Sequence, residues 1–259
     1  MNLETLRVTH WTLPVKKAQV RAVHLSDLHL DDRTSIEWLQ FLMRRIAAEQ
    51  PDLILFSGDF TATRAPYRNP QPVLDLFAAL DAPMGKFAVR GNHDRKGAAG
   101  KAADLMKQAG FCVLENEAVE LQTPSGEPVI VGGLAPMEKK EYDVRGVLWM
   151  KSRPEALRFL LIHEPVLAEK VPAGTADVLL AGHTHQGQCH VPRAERLWLP
   201  KYTGRYVHGE YRVHQMPLYV SAGLGESRIA VRWNAPRELV VVNAEGKETE
   251  RGTKSLGNV

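Results

Sequence analysis

Five times between residues 22 and 185, a short apolar run ends in a cluster of Gly, Asp, Asn or His. The clusters are Asp27-Leu28-His29, Gly58-Asp59, Gly91-Asn92-His93-Asp94, His163 and Gly182-His183-Thr184-His185. Runs such as residues 53–56 (Leu-Ile-Leu-Phe) are apolar at every position, which suits strands covered on both faces. Polar clusters at the ends of such strands converge, because the strand ends of these sheets open onto a common crevice. This recurrence therefore constrains the chain to buried, helix-separated strands whose following loops share one site. Asp, Asn and His offer oxygen and imidazole nitrogen to hard or borderline metal ions, so that site reads as a metal centre.

The intervening segments agree. Thr34-Ser35-Ile36-Glu37 is a capping box, and Ile36, Leu39, Met43, Ile46 and Ala47 follow at helical spacing until Pro51. Residues 73–80 and 98–109 read as further helices, the second closed by Gly110. Strands are expected at 87–89, 159–162 and 178–181, and hairpins at 8–13/20–25 and at 119–122/129–131 around Pro124-Ser125-Gly126. After residue 190 the pattern is β-rich, with runs at 197–199, 218–220 and 239–242. The first half is thus βαβαβ and the second mostly β, with no repeat and no linker. The expectation is an α/β fold of two packed sheets with helices outside, as one domain over residues 1–243 and a polar tail over 244–259.

Composition removes several function classes. A net charge of +3 permits an anionic substrate but shows no basic stripe, so no nucleic-acid partner is expected. Cys112 and Cys189 make no disulfide framework, which suits a reducing compartment. No apolar run approaches the ~18 residues of a membrane span, and residues 1–19 lack a signal-peptide core. A cytoplasmic protein is expected, with peripheral contact at the inner membrane surface left open.

In their order along the chain, the five clusters resemble the signature of the calcineurin-like metallophosphoesterases, over roughly residues 20–190. Gly187-Gln188, the stretch 218–225 and the stretch 232–239 extend the resemblance to a bacterial subgroup containing phosphodiesterases and UDP-diacylglucosamine pyrophosphatases. The resemblance implies a two-sheet β-sandwich flanked by helices, in four layers α/β/β/α. It implies two divalent ions, Mn2+ first, with Fe2+, Zn2+ or Co2+ as alternatives. One ion would be held by Asp27, His29, Asp59 and His185. The other would be held by Asp59, Asn92, His163 and His183, with Asp59 bridging. A hydroxide between the ions would attack phosphorus, since coordination brings the pKa of water toward neutrality. Two divalent ions bring +4, against −2 from Asp27 and Asp59 and −1 from hydroxide, leaving +1 for an anionic diester.

In this reading His93 is catalytic, stabilising phosphoryl oxygens or protonating the leaving group, and Asp94 orients its ring. A helix cap is the alternative for Asp94. The implied activity is phosphodiester hydrolysis on a small-molecule, lipid or nucleotide-sugar pyrophosphate substrate. A phosphomonoesterase or protein phosphatase, a nuclease, or a catalytically silent scaffold are the alternatives. Other side chains have weaker claims: His24 as core-edge packing, Cys189 as a partly buried strand residue or a ligand, and His190 as a surface or phosphate contact. Arg64, Arg90, Arg95, Lys201 and Arg205 are solvated charges or phosphate donors. Trp198, Tyr202, Tyr206 and Tyr211 are packing residues or the lining of a pocket. The subgroup usually has Gly where this chain has Gln186, which would narrow the site, and residues 137–153 are long enough for a lid.

Overall fold

The computed structural model of the chain describes residues 6–62, 68–95, 102–189, 199–227 and 231–246. The apolar runs assemble into two six-stranded mixed sheets. The first contains β1 (Leu6–Lys17), β2 (Val20–Leu25), β3 (Leu53–Phe56), β4 (Lys86–Ala88), β5 (Cys112–Val113) and β12 (Arg237–Gly246), in the order β1-β12-β2-β3-β4-β5. The second contains β6 (Glu117–Gln122), β7 (Pro128–Gly133), β8 (Leu157–Leu161), β9 (Val178–Ala181), β10 (Gly209–Val213) and β11 (Met216–Val220), in the order β10-β11-β9-β8-β7-β6. Strands β2 to β5 are mutually parallel, and so are β7, β8, β9 and β11. The ends of these parallel strands carry the polar clusters.

Helices α1 (Ile36–Ala48), α2 (Gln71–Ala78) and α3 (Ala102–Gln108) cover the outer face of the first sheet. Ser35 caps α1, its hydroxyl accepting from the Trp38 amide at 3.1 Å, so the cap lies one residue beyond Thr34. Trp38, Leu39, Leu42, Met43 and Ile46 form the buried stripe of α1, each such side chain contributing about 1.5–3 kcal/mol on burial. A second apolar layer, including Leu53, Leu55, Phe159 and Leu180, fills the space between the sheets. A third covers the outer face of the second sheet. The four layers are those expected, but the last is built from 3-10 helices at Val144–Ser152 and Pro165–Lys170 rather than α-helices.

Four local expectations change. Strands β1 and β2 are not a hairpin: β12 inserts between them, parallel to β1 and antiparallel to β2. Alternation identified the strands but could not identify a partner more than 200 residues away. Strand β12 runs to Gly246, with Ala244 buried beside Val20, so 244–246 belong to the sheet rather than the tail. Residues 137–153 pack onto the second sheet through Val147 and Met150, both fully buried, instead of forming a free lid. Leu199 lies outside any strand, while the rest of 197–199 and residues 98–101 of the expected third helix fall outside the described residues.

Candidate metal centre

The ends of β2, β3 and β4 in one sheet meet those of β8 and β9 in the other, and their loops interlock through the backbone. The Asp27 amide donates to Gly58 O (2.9 Å), the His29 amide to Asp59 O (3.0 Å), and the Gly182 amide to His163 O (3.2 Å). The loop after β11 closes the cradle: the Leu224 amide donates to Ser26 O (3.0 Å) and the Gly225 amide to Asp27 O (2.6 Å). Two motif glycines are needed for this closeness. A Cβ on Gly182 would lie 1.6 Å from Ser26 Oγ, and one on Gly91 would lie 2.1 Å from Asp59 Oδ1. Asp27, His29, Asp59, His183 and His185 all adopt φ between 47° and 75°. Each such non-glycine residue costs on the order of 1 kcal/mol, strain that concentrates at functional sites.

The side chains form one buried cluster. His29 Nε2 lies 3.0 Å from His185 Nε2 and 3.4 Å from Asp59 Oδ2, and His185 Nε2 lies 3.4 Å from Asp27 Oδ1. On the other side of Asp59, His163 Nε2 lies 3.2 Å from the same Oδ2, 3.1 Å from Asn92 Oδ1 and 3.2 Å from His183 Nδ1. The second oxygen of Asp59 accepts the His93 amide at 2.8 Å. Three overlapping groups have ligand atoms close enough to hold a metal ion: Asp27-His29-His185, His29-Asp59-His93 and Asp59-His163-His183. The donor set itself fits a cation. Around His163 Nε2, carboxylate, amide and imidazole acceptors converge on one point, which a proton or a metal ion must neutralise.

Electrostatics follow from burial and from this crowding. Burial works against a charged His163 ring, but Asp59, Asp27 and Glu164 hold its pKa well above the usual range. Burial pushes Asp27 up to about 6, with Asp59 adding to the shift and His163 opposing it. Burial also opposes ionisation of Asp59, yet His163, His29 and His93 hold it well below the usual range. Burial brings His29 and His183 down to about 3, keeping both rings neutral and able to act as ligands.

The sequence matches the calcineurin-like phosphoesterase family profile over residues 20–187. The chain belongs to this family. The phosphoesterase is 34% identical over 223 residues to the uncharacterized metallophosphoesterase YkuE of Bacillus subtilis (strain 168), covering 85% of this chain and 77% of that protein. It is 28% identical to the phosphodiesterase YaeI of Escherichia coli (strain K12), covering 87% and 82%. It is 24% identical to the UDP-2,3-diacylglucosamine pyrophosphatase LpxG of Chlamydia muridarum (strain MoPn / Nigg), covering 93% and 89%. Among solved structures, a Staphylococcus aureus chain crystallised with alpha-ketoglutarate matches with TM-score 0.50 and 13% identity. That match covers 88% of this chain and 55% of the other, and bears on the fold alone.

All nine expected site residues of the phosphoesterase lie in these converging loops, though not all as anticipated. Asp94 is 1% exposed, and its oxygens serve the loops. Oδ2 accepts the amides of Asp59 and Gly91, both at 2.8 Å, and Oδ1 accepts the Thr61 amide at 3.0 Å. Burial first, then Asp59, pushes its pKa up to about 6. Gln186 has φ 54°, the conformation a glycine would favour, and its side chain reaches Arg7 (3.4 Å) at the edge strand β1. His24 is fully buried, 2.8 Å from Ser57 Oγ, and burial brings it down to about 3.

Among the described residues, Cys189 belongs to none of the metal-capable groups and bridges to Trp233 in the backbone. Arg90 pairs with Glu115 and Glu141. Lys201 contributes its carbonyl to His183, and Arg205 stacks over Tyr206, which is itself core. Tyr211 accepts the Val207 amide (2.9 Å) and packs edge-on against Tyr206, while Tyr202 is exposed. Arg64, His190, Trp198 and the Arg95 side chain lie outside the described residues. Among the described residues no helix is long and apolar enough to cross a membrane. The sequence reading missed Ser26, whose hydroxyl donates to Asp27, and Arg232, whose guanidinium touches His185. The only sequence signal for Arg232 was its place in the 232–239 stretch.

Proposed function

We propose that the protein is a two-metal phosphodiesterase acting on a small-molecule or lipid phosphodiester or pyrophosphate. One observation carries the reading: a single oxygen, Asp59 Oδ2, lies between His29 Nε2 (3.4 Å) and His163 Nε2 (3.2 Å). A carboxylate so placed can serve two cations at once. Asp27, His29, Asp59 and His185 would hold one ion, and Asp59, Asn92, His163 and His183 the other. Mn2+ is the first candidate, and Fe2+, Zn2+ or Co2+ suit the same nitrogen and oxygen donors. Ions bound there supply Lewis acidity and lower the pKa of water at the centre. Two divalent ions against the two carboxylates leave a positive field that draws in an anionic substrate.

The remaining chemistry belongs to His93. Its amide is fixed by Asp59, and its ring meets His29 edge-on with centroids 4.8 Å apart. Unlike the buried His163 and His183, it is partly exposed, so it can reach a substrate and protonate the departing oxygen. Asp94 supports this role through the backbone, holding the Gly91 and Asp59 amides that set the start of the His93 loop. The named phosphodiesterase and pyrophosphatase relatives support a diester or pyrophosphate substrate.

The test is hydrolysis of bis-p-nitrophenyl phosphate and p-nitrophenyl phosphate by chelator-stripped protein given back Mn2+. Faster turnover of the diester, abolished by chelator, is expected. Preference for the monoester would shift the reading to a phosphomonoesterase. No turnover of either with Mn2+, Fe2+, Zn2+ or Co2+ would overturn it.

A further inference from the structure

The histidines of the centre are not prepared alike. Nδ1 of His163 lies 2.8 Å from the Ser57 carbonyl oxygen, and Nε2 of His183 lies 2.6 Å from the Lys201 carbonyl oxygen. A carbonyl only accepts, so those nitrogens carry the protons. Once His163 gives up the second proton that its carboxylate neighbours hold on it, the lone pairs of the two rings fall on His163 Nε2 and His183 Nδ1, the atoms that converge with Asp59 and Asn92. A carbonyl behind the ring is the usual support of a metal-binding imidazole.

His185 is supported in the opposite sense. Its Nδ1 lies 3.1 Å from Nη2 of Arg232. A guanidinium only donates. Nor can this one turn away easily. Its Nε and Nη2 donate to Gly225 O (2.9 and 2.6 Å), and Nη1 donates to Ala222 O (2.9 Å) and Ala235 O (3.2 Å). All five of its N–H groups are thereby engaged, the last by His185. Nδ1 of His185 must accept, and the proton of the neutral ring falls on Nε2. That is the atom facing His29 and Asp27, where a cation would need a lone pair.

We infer that Arg232 is a positioning residue that disfavours cation binding by His185 and so makes the two metal positions unequal. The Asp59-Asn92-His163-His183 position is the tight one. The position of Asp27, His29 and His185 is the weaker, exchangeable one. Filling it requires moving the His185 proton to Nδ1, against a guanidinium with no acceptor, or displacing a guanidinium held by three carbonyls. The inference rests on the two-metal reading and states which position limits loading.

The experiment is calorimetric titration of chelator-stripped full-length protein with Mn2+ alone. Two steps are expected, with dissociation constants separated by roughly tenfold or more. His163→Ala should remove the tight step, and His185→Ala the weak step. Arg232→Lys keeps a cation for the carbonyls but withdraws the donor from Nδ1, so it should tighten the weak step by roughly tenfold. Two steps of equal affinity would overturn the inference and leave the two-metal reading standing, as would loss of the tight step in His185→Ala. An unchanged weak step in a folded Arg232→Lys protein would overturn the role of Arg232. Should that variant not fold, the wild-type and histidine-variant titrations decide alone. A stoichiometry that stays at one ion in millimolar Mn2+ would overturn the reading and the inference together.

Discussion

Replacing Asp94 separates two accounts of what this residue does. A ring-orienting aspartate would cost rate and little stability. In the structure its carboxylate accepts three buried backbone amides, from Asp59 and Gly91 at 2.8 Å and Thr61 at 3.0 Å, joining the loops after β3 and β4. Asp94→Ala leaves all three donors unsatisfied at about 1–3 kcal/mol each. Against this stands the cost of keeping the carboxylate ionised in its buried site beside Asp59. Raising its pKa from 3.8 to about 6 corresponds to about 3 kcal/mol at neutral pH. The net expected loss for the metal-free protein is about 0–6 kcal/mol at pH 7 and most of the full 3–9 kcal/mol near pH 4, where the folded carboxyl is neutral, read from urea unfolding.

Between pH 4 and 6 the folded wild type binds more protons at Asp94 than the unfolded chain, so its stability falls as pH rises. The gap to Asp94→Ala should therefore be widest near pH 4 and narrow toward pH 7. Asp94→Asn, which keeps one acceptor oxygen, should lose less, about 1–3 kcal/mol. A change within about 0.5 kcal/mol for Asp94→Ala near pH 4, with a large loss of rate at neutral pH, would refute the loop-stapling argument.

Two further outcomes follow from the same geometry. His93→Ala should bind as much metal as wild type by elemental analysis yet lose roughly 10²–10⁴-fold in kcat. Loss of an ion would instead make His93 a ligand, a role its closeness to His29 and Asp59 permits. Metal affinity should fall as pH drops below about 6, where a cation must displace the proton of Asp27. It should still rise with pH above neutrality, because His163 holds its proton well above the usual range. Pulsed metal titrations across pH 5 to 8 check both, and affinity independent of pH would contradict them.

The legible part of this protein was whatever the chain writes locally. Leu53–Phe56 and Val178–Ala181 are fully buried strands, and their unbroken apolar character announced them. The loops after them had to hold the site because parallel strands end together. The illegible part depended on distant partners. Nothing around residues 8–25 signals that β12 will pair with both strands there. The side chain of Asp94 looks the same in sequence whether it faces an imidazole or three backbone amides. Arg232 meets His185 only after β11 and its loop have folded beside β9. Spacing could find the candidate ligands, but their supports lie in loops that only the tertiary fold brings close.

Anomalous diffraction at the manganese edge, from crystals grown with Mn2+, would show whether Asp59 joins two ions. Two peaks about 3.5–4 Å apart are expected, with Asp59 coordinating both. One peak at saturating Mn2+, or two that do not share Asp59, would contradict the account.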